Sequence, residues 1–303
     1  MNNRIRNLNI EDFLGFDIET VRKNEVLDVN SDEFDLFQYK SRDKIKGTLP
    51  TESETTVLYE DTAPLSAVYG KIVCISIGYI KNGSLRIKAL VGEEVDIITQ
   101  FFAILNKFKG TLGYNQLRFD LPYIRIRAYV NGIGHLLDDR FSDSDAKPWD
   151  LSSTHVDFMD VVRGASYQSL SLAEACYLFG IKSPKDDISG KDVSKVYYAE
   201  GVHRIATYCN KDVKVVFDLA FKLGVPGSIK EVVFVEDKVK SVFEQITEAG
   251  SISDKLKSEI EAVVKSMKKA DRVNYVTLLK ASLGRTEFSI DEEDLFTKIL
   301  TKK

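Results

Sequence analysis

Phe13-Leu14-Gly15-Phe16-Asp17-Ile18-Glu19-Thr20 runs apolar for four residues and then turns acidic. It reads as a buried strand ending at a pair of carboxylates. Positions i and i+2 of a strand point to the same face, ~7 Å apart. Asp17 and Glu19 therefore stand side by side and repel each other unless a cation sits between them. Hard dications such as Mg2+ or Mn2+ take oxygen ligands and suit such a pair. The spacing alone is common, and Asp291-x-Glu293 repeats it on what reads as solvated surface. The apolar run ahead of Asp17 sets it apart, because two acids at the end of a buried strand need something to hold them.

Working outward, Val21 to Leu65 is a polar excursion with one helix expected near Asp32 to Lys40. Ile72 to Ile80 is strongly β-forming, and Asn82-Gly83 turns it into the alternating run Leu85 to Val91, an antiparallel partner. Apolar residues at helical spacing predict a helix over Glu94 to Phe108. A short strand is expected at Thr111 to Tyr114, then a helix opening near Asp120-Leu121-Pro122, with proline in the first turn. Asp138 to Ser153 is loop-like, crowded with aspartates and holding Trp149. Val156 to Val162 reads as a strand, Ser169 to Phe179 as a helix stopped by Gly180, and Ile181 to Gly190 as a loop. His203 to Leu223 reads as a long helix ended by Gly224.

These elements predict an α/β domain over 1–224, a mixed sheet with helices packed on it, interrupted by an insert at 21–70. From Val225 onward acids and bases balance, and periodicity predicts helices over Phe234–Glu248, Asp254–Met267 and Asp271–Leu283. Residues 225–303 thus read as a helical C-terminal extension, a candidate protein-partner module.

The 303 residues are 44% hydrophobic and 29% charged, a globular composition that excludes disorder as the main content. The net charge of −4 argues against holding nucleic acid by bulk electrostatics. It leaves room for a protein that acts on nucleic acid through locally bound cations. With three histidines in the chain, carboxylate chemistry is favoured over histidine metal sites or acyl transfer. Cys74, Cys176 and Cys209 are odd in number, lack C-x-x-C spacing and read as buried thiols of a reducing compartment. The charged N-terminus and the lack of any apolar run of ~18 residues make the cytoplasm the expected location, without membrane attachment.

Two further segments carry candidate chemistry. Tyr208 and Asp212 are i, i+4 on the long helix and share a face, with Ile205, Cys209, Val213 and Val216 placing it near the core. A tyrosine one turn from a carboxylate can orient a metal-bound water; a core-edge tyrosine beside a surface acid has the same spacing. In Asn115-Gln-Leu-Arg-Phe-Asp-Leu-Pro122 a strand ends at Asn115 and Asp120 opens a helix. There a carboxylate either caps amides or faces the sheet's edge. His155, with Asp157 and Asp160 nearby, admits a metal-site reading but fits a strand edge better, and His203 reads as a helix start.

Taken in order, Phe16-Asp17-Ile18-Glu19-Thr20, Gly113-Tyr114-Asn115-x-x-x-Phe119-Asp120-x-Pro122 and Tyr208-x-x-x-Asp212-Val213 resemble motifs Exo I, II and III of the DEDD (DnaQ-like) 3′–5′ exonucleases. The position where the histidine branch carries its histidine is Thr207, so the likeness is to the tyrosine (DEDDy) branch. The chain is most similar to the exonuclease domain of family-B DNA polymerases and its stand-alone relatives, over roughly residues 10–224. Gly190-Lys-Asp-Val, Glu200-Gly201 and Tyr208-Cys-Asn-Lys-Asp-Val213 look like the stand-alone relatives in particular.

The resemblance implies a ribonuclease-H-like fold, a mixed five-stranded sheet flanked by helices. It implies a metal-dependent 3′–5′ exonuclease that hydrolyses the terminal phosphodiester of single-stranded DNA and releases nucleoside monophosphates, in proofreading, replication or repair. Two divalent ions, Mg2+ or Mn2+, would be held by Asp17 bridging both, Glu19 and Asp212 on the nucleophile side, and Asp120 on the other, largely through water. Tyr208 would orient the attacking water, and Thr20, Asn115 and Phe119 would touch the single-stranded 3′ end. The alternatives are the same chemistry on RNA 3′ ends and a non-catalytic module that binds nucleic acid or a partner. The acidic loop 138–150 has one further reading, that it discourages duplex.

Overall fold

The structure is a computed structural model describing residues 3–42, 47–137, 154–164, 166, 168–184, 188–235, 246, 250–265 and 269–301. The aspartate-rich loop with Trp149 lies outside the described residues. The chain divides into two compact units, Met1–Glu236 and Asp237–Lys303.

The first unit is built on β1 (Phe13–Arg22), in which only Asp17 and Arg22 escape full burial. It pairs antiparallel with β2 (Gly70–Lys81), which pairs antiparallel with β3 (Ser84–Val91). The β2–β3 turn is Asn82-Gly83, both at positive φ (55° and 79°), the geometry a two-residue hairpin requires. On the other side β4 (Gly110–Gly113) lies parallel to β1, and β5 (His155–Asp157) parallel to β4. The sheet has six strands in the order β5-β4-β1-β2-β3-β6, one more than expected. The sixth, β6 (Glu231–Phe234), runs parallel to β3 and extends the first unit beyond residue 224. Lys230 N–H donates to Gly83 O at 2.9 Å and Val235 N–H to Ile87 O at 2.7 Å, extending that ladder at both ends.

Two helical layers cover the sheet. Leu14, Phe16 and Ile18 of β1 share a face with Ile75 and Ile77 of β2 and pack on Phe101, Phe102 and Leu105 of α3 (Glu94–Leu105) and Leu121 and Ile124 of α4 (Asp120–Val130). The opposite face carries Gly15, Asp17 and Glu19, and there the long helix α8 (His203–Lys222) lies. Gly15 and Gly78 are cross-strand partners directly beneath α8. A Cβ on Gly78 would stand 2.7 Å from Val213 Cγ1, and one on Gly15 would collide with the Phe217 ring.

Between β1 and β2 the insert forms α1 (Asp32–Ser41), as expected, and a second helix, α2 (Glu52–Thr62). They enclose a small core of Leu27, Phe34, Phe37, Tyr59, Ala63 and Tyr69. The strand expected over 156–162 stops at Asp157. Its carboxylate accepts from Met159 N–H at 3.0 Å and caps the short helix α5 (Phe158–Arg163). Helix α6 (Leu172–Phe179) opens on a Ser171/Glu174 capping box and ends at Gly180, at φ 62°. Helix α7 (Val193–Glu200) follows the expected loop. All three cysteines are buried thiols.

The second unit holds α9 (Asp254–Lys265), α10 (Lys269–Leu283) and α11 (Ile290–Thr301), gathered around Ile260, Leu279, Phe296 and Ile299. Arg285 and Glu292 form an ion pair at its foot. Most of the helix expected over Phe234–Glu248 lies outside the described residues, and its first residue belongs to β6. Among the described residues no helix is long and apolar enough to cross a membrane.

Candidate active site

β4 ends opposite Gly15 of β1, so beyond Gly15 the β1 backbone has no strand on that side among the described residues. Its amides need another acceptor. Asp120, the first residue of α4, supplies one: its Oδ1 accepts from Ile18 N–H at 3.1 Å. Phe119 precedes it without a side-chain cap, so Asp120 faces the sheet's edge and bonds β1. Its carboxyl is fully enclosed, and burial lifts it to about 7, opposed by the Ile18 amide and its own.

Asp17 and Glu19 share the face that α8 covers, as their spacing predicts. From α8, Cys209 directs its thiol at both the main-chain O and Oδ2 of Asp17, each at 3.4 Å. A carboxylate oxygen of each acid and the Cys209 Sγ lie within 4.8 Å of one another. Burial pushes Asp17 well above the usual carboxylate range, and the charges of Asp212, Asp120 and Glu19 push it further. Four carboxylates from β1, α4 and α8 therefore act on one point, with no lysine or arginine among the groups that shift Asp17.

Tyr208 is raised above the ordinary phenol range, first by burial and then by Asp212, Glu19 and Asp17; it also hydrogen-bonds the Asp212 side chain. Helix α8 is pinned here because Ser76 Oγ donates to Asn210 Oδ1 at 2.9 Å. The donor set is mostly hard oxygen in a dry, mutually repelling cluster, which fits divalent cations of the Mg2+ or Mn2+ type.

The three residues expected to touch the strand differ in setting. Thr20 is buried and its hydroxyl donates to Pro64 O at 2.7 Å, tying β1 to the insert. Phe119 is half-buried, its ring 5.5 Å from that of Tyr123. Asn115 is half-buried with φ at 64°. Beside it opens a cleft of about 510 Å³ walled by Tyr114, Arg118, Arg163 and Ser169.

Two contributors escape sequence reasoning. Cys209 reads as a core thiol, although its i, i+3 relation to Asp212 is a usable sign. Asp157 reads as a strand-edge acid, yet its carboxylate accepts from Asn115, Leu117 and Met159 N–H at 2.8, 3.1 and 3.0 Å. A metal site at His155, Asp157 and Asp160 is not what the geometry serves. His155 Nδ1 meets Thr111 Oγ1 at 2.7 Å, and Asp160 pairs with Arg118 and Arg163. His203 opens α8.

The model of a family described as predicted 3′–5′ exonucleases related to the exonuclease domain of PolB matches residues 64–248. This span holds Asn115, Asp120, Tyr208 and Asp212, while Asp17 and Glu19 precede it. No curated protein matches the chain. With the six-stranded mixed sheet and its flanking helices, the match establishes that this chain belongs to the family of predicted 3′–5′ exonucleases related to the PolB exonuclease domain, which are hydrolases.

Proposed function

We propose that the protein removes 3′-terminal nucleotides from single-stranded DNA by two-metal hydrolysis of the phosphodiester, releasing nucleoside monophosphates. The observation that carries this reading is the convergence of Asp17, Glu19, Asp120 and Asp212, where burial and then the charges of the other three raise Asp17. Asp17 would serve both ions, Glu19 and Asp212 the one beside the nucleophile, and Asp120 the other. Asp120 spends Oδ1 on Ile18 N–H, which leaves Oδ2 for a water-mediated role. When bound, the ions would supply the positive charge that favours hydroxide over water and stabilises the departing 3′ oxygen.

Tyr208, hydrogen-bonded to Asp212, would hold the attacking water in line. The strand end would enter by the cleft at Asn115, where Arg118 and Arg163, both paired with Asp160, would offer guanidinium N–H groups to phosphate and Phe119 a ring for stacking. The hydroxyl of Thr20 is engaged with Pro64, so its part would be to hold the floor of the site. RNA is the second substrate reading, since the same cluster serves either sugar. Buried thiols suit a reducing compartment such as the cytoplasm.

The test uses 5′-labelled DNA and RNA oligonucleotides of one sequence with Mg2+, Mn2+ or EDTA, beside Asp17→Ala. A ladder shortening from the 3′ end of DNA, absent in EDTA and in the variant, is the expected result. A ladder on RNA alone would reassign the substrate. Binding without cleavage of either would leave a non-catalytic module.

A further inference from the structure

The insert between β1 and β2 leaves from the end of the sheet that carries the acids, since β1 closes at Arg22, just beyond Glu19. It returns to β2 at Gly70 through a tight turn over residues 63–69, which opens with a single 3-10 turn, Ala63–Leu65. Three side chains from the rest of the domain hold this turn by its main-chain oxygens. Thr20 Oγ1 and Tyr123 OH both donate to Pro64 O, at 2.7 and 3.1 Å. Tyr123 OH also lies 3.3 Å from Ser66 O, and Arg127 Nη1 donates to Ala67 O at 3.2 Å. Inside the turn, Ser66 N–H donates to Ala63 O at 3.0 Å and Gly70 N–H to Ser66 O at 2.7 Å. The fit leaves no slack: a Cβ on Gly70 would collide with the Tyr123 hydroxyl.

These bonds decide what a substrate meets beside Glu19. Thr20 is buried with its hydroxyl engaged on Pro64 O, so the turn, and not Thr20, forms the surface there. Leu65, the next residue of the turn, is 65% exposed. Single exposed apolar residues are ordinary, but this one is carried by a turn fastened to the domain at the edge of the acid cluster. The fastening also reaches Phe119: the ring of Tyr123 lies 5.5 Å from that of Phe119, and Phe119 precedes Asp120, which bonds Ile18 of β1. One tyrosine thus joins the two apolar side chains that border the acids. We propose that Leu65 and Phe119 form an apolar seat for the base of the 3′-terminal nucleotide, and that Tyr123 is the positioning residue that holds the seat together. Apolar groups suit the face of every base, so the seat senses that a base is present and not which one it is.

The single-stranded 3′ end rests on the proposed function, so the seat is tested by binding in the absence of metal. In EDTA, Asp17→Ala is titrated with two short labelled DNA strands that differ only in the last nucleotide, which carries its base in one and is abasic in the other. The base should improve affinity about 10-fold, and Leu65→Ala in the same background should shrink that gain to about 2-fold while binding the abasic strand as before. Tyr123→Phe removes the hydroxyl that holds Pro64 and should shrink the gain as well. Leu36→Ala, at another exposed leucine of the insert, should leave it whole. A Leu65→Ala protein that melts like its parent and keeps the full gain would overturn the proposal. So would an equal loss on both strands, or a parent that binds the two alike. Full gain in Tyr123→Phe would overturn the positioning role. With Asp17 restored and Mn2+ present, Leu65→Ala should raise KM for the strand with its terminal base and not for the abasic one. If the gain depends on Leu65 and wild type with metal cleaves nothing, the hydrolytic reading fails and the seat stands.

Discussion

Asp157 accepts the backbone N–H of Asn115 at 2.8 Å, and Asn115 holds a left-handed backbone, φ 64°, at the end of β4. Only glycine adopts that region freely, so the turn is kept by what surrounds it. The same carboxylate also binds the amides of Leu117 and Met159. One buried side chain thus clamps the loop that delivers Phe119 and Asp120 to the site.

Asp157→Ala should therefore lower both stability and turnover. Three amides would lose their acceptor, and the expected destabilisation is about 3 kcal/mol. Asp157→Asn should fall between, since its amide nitrogen would oppose the Leu117 N–H. Urea unfolding read beside kcat checks this; full activity in a destabilised Asp157→Ala would separate the clamp from the chemistry.

Stability of the metal-free protein should fall as pH rises. Asp17 and Asp120 are both raised above the free value of 3.8, Asp120 to about 7. The folded state therefore binds more protons than the unfolded one between those values. The stabilisation is complete below about pH 4 and lost as pH climbs through the folded values. Tm without metal should be lower at about pH 8 than at about pH 5, with Mn2+ restoring more at the higher pH. Asp17→Asn should raise the metal-free Tm at the higher pH and shrink the Mn2+ effect. A Tm that climbs with pH in EDTA would contradict the burial of these acids.

Tyr208→Phe removes one hydroxyl beside Asp212 and leaves the packing of α8. If that hydroxyl aligns the attacking water, kcat should drop by roughly 10- to 100-fold while Mn2+ affinity holds. Calorimetric titration of Mn2+ supplies the second reading. An equal loss of metal affinity would show that the phenol serves to fix Asp212.

A truncation after Glu236 should keep a folded, active nuclease unit, whereas one after Gly224 should not. The longer piece retains Val225, Ile229 and Val232, which pack into the core under α8, and β6, which covers the edge of β3. Exposed β3 would otherwise be a free sheet edge. Thermal melts and gel filtration of the two pieces distinguish them, and recovery of a protein partner by full-length chain alone would assign that role to residues 237–303.

Elements whose evidence is local are readable in the sequence. The β2–β3 hairpin follows from Asn82-Gly83, and α8 from an apolar stripe bounded by Gly224. Asp17 with Glu19, and Tyr208 with Asp212, follow because each pair sits on one element. Helix α2 is obscured by Thr55 and Thr56 and a weak apolar face, even though Thr51 and Glu54 form its capping box. β6 is four residues long and half-exposed; only its ladder with a strand far back in the chain defines it. Cys209 reaches Asp17 across 192 positions and Asp157 reaches Asn115 across 42, separations no spacing rule covers.

The two glycines beneath α8 carry a consequence for evolution at this site. Gly15 lies two positions from Asp17, and Gly78 two from Ser76, which anchors Asn210. With no side chain there, the helix that bears Asp212 rests on bare sheet through Val213 and Phe217. A single methyl at either position acts as a shim, lifting Asp212 and Tyr208 away from Asp17 without altering any acid. The spacing of Asp212 and Tyr208 from Asp17 is thus tunable at positions with no functional group of their own.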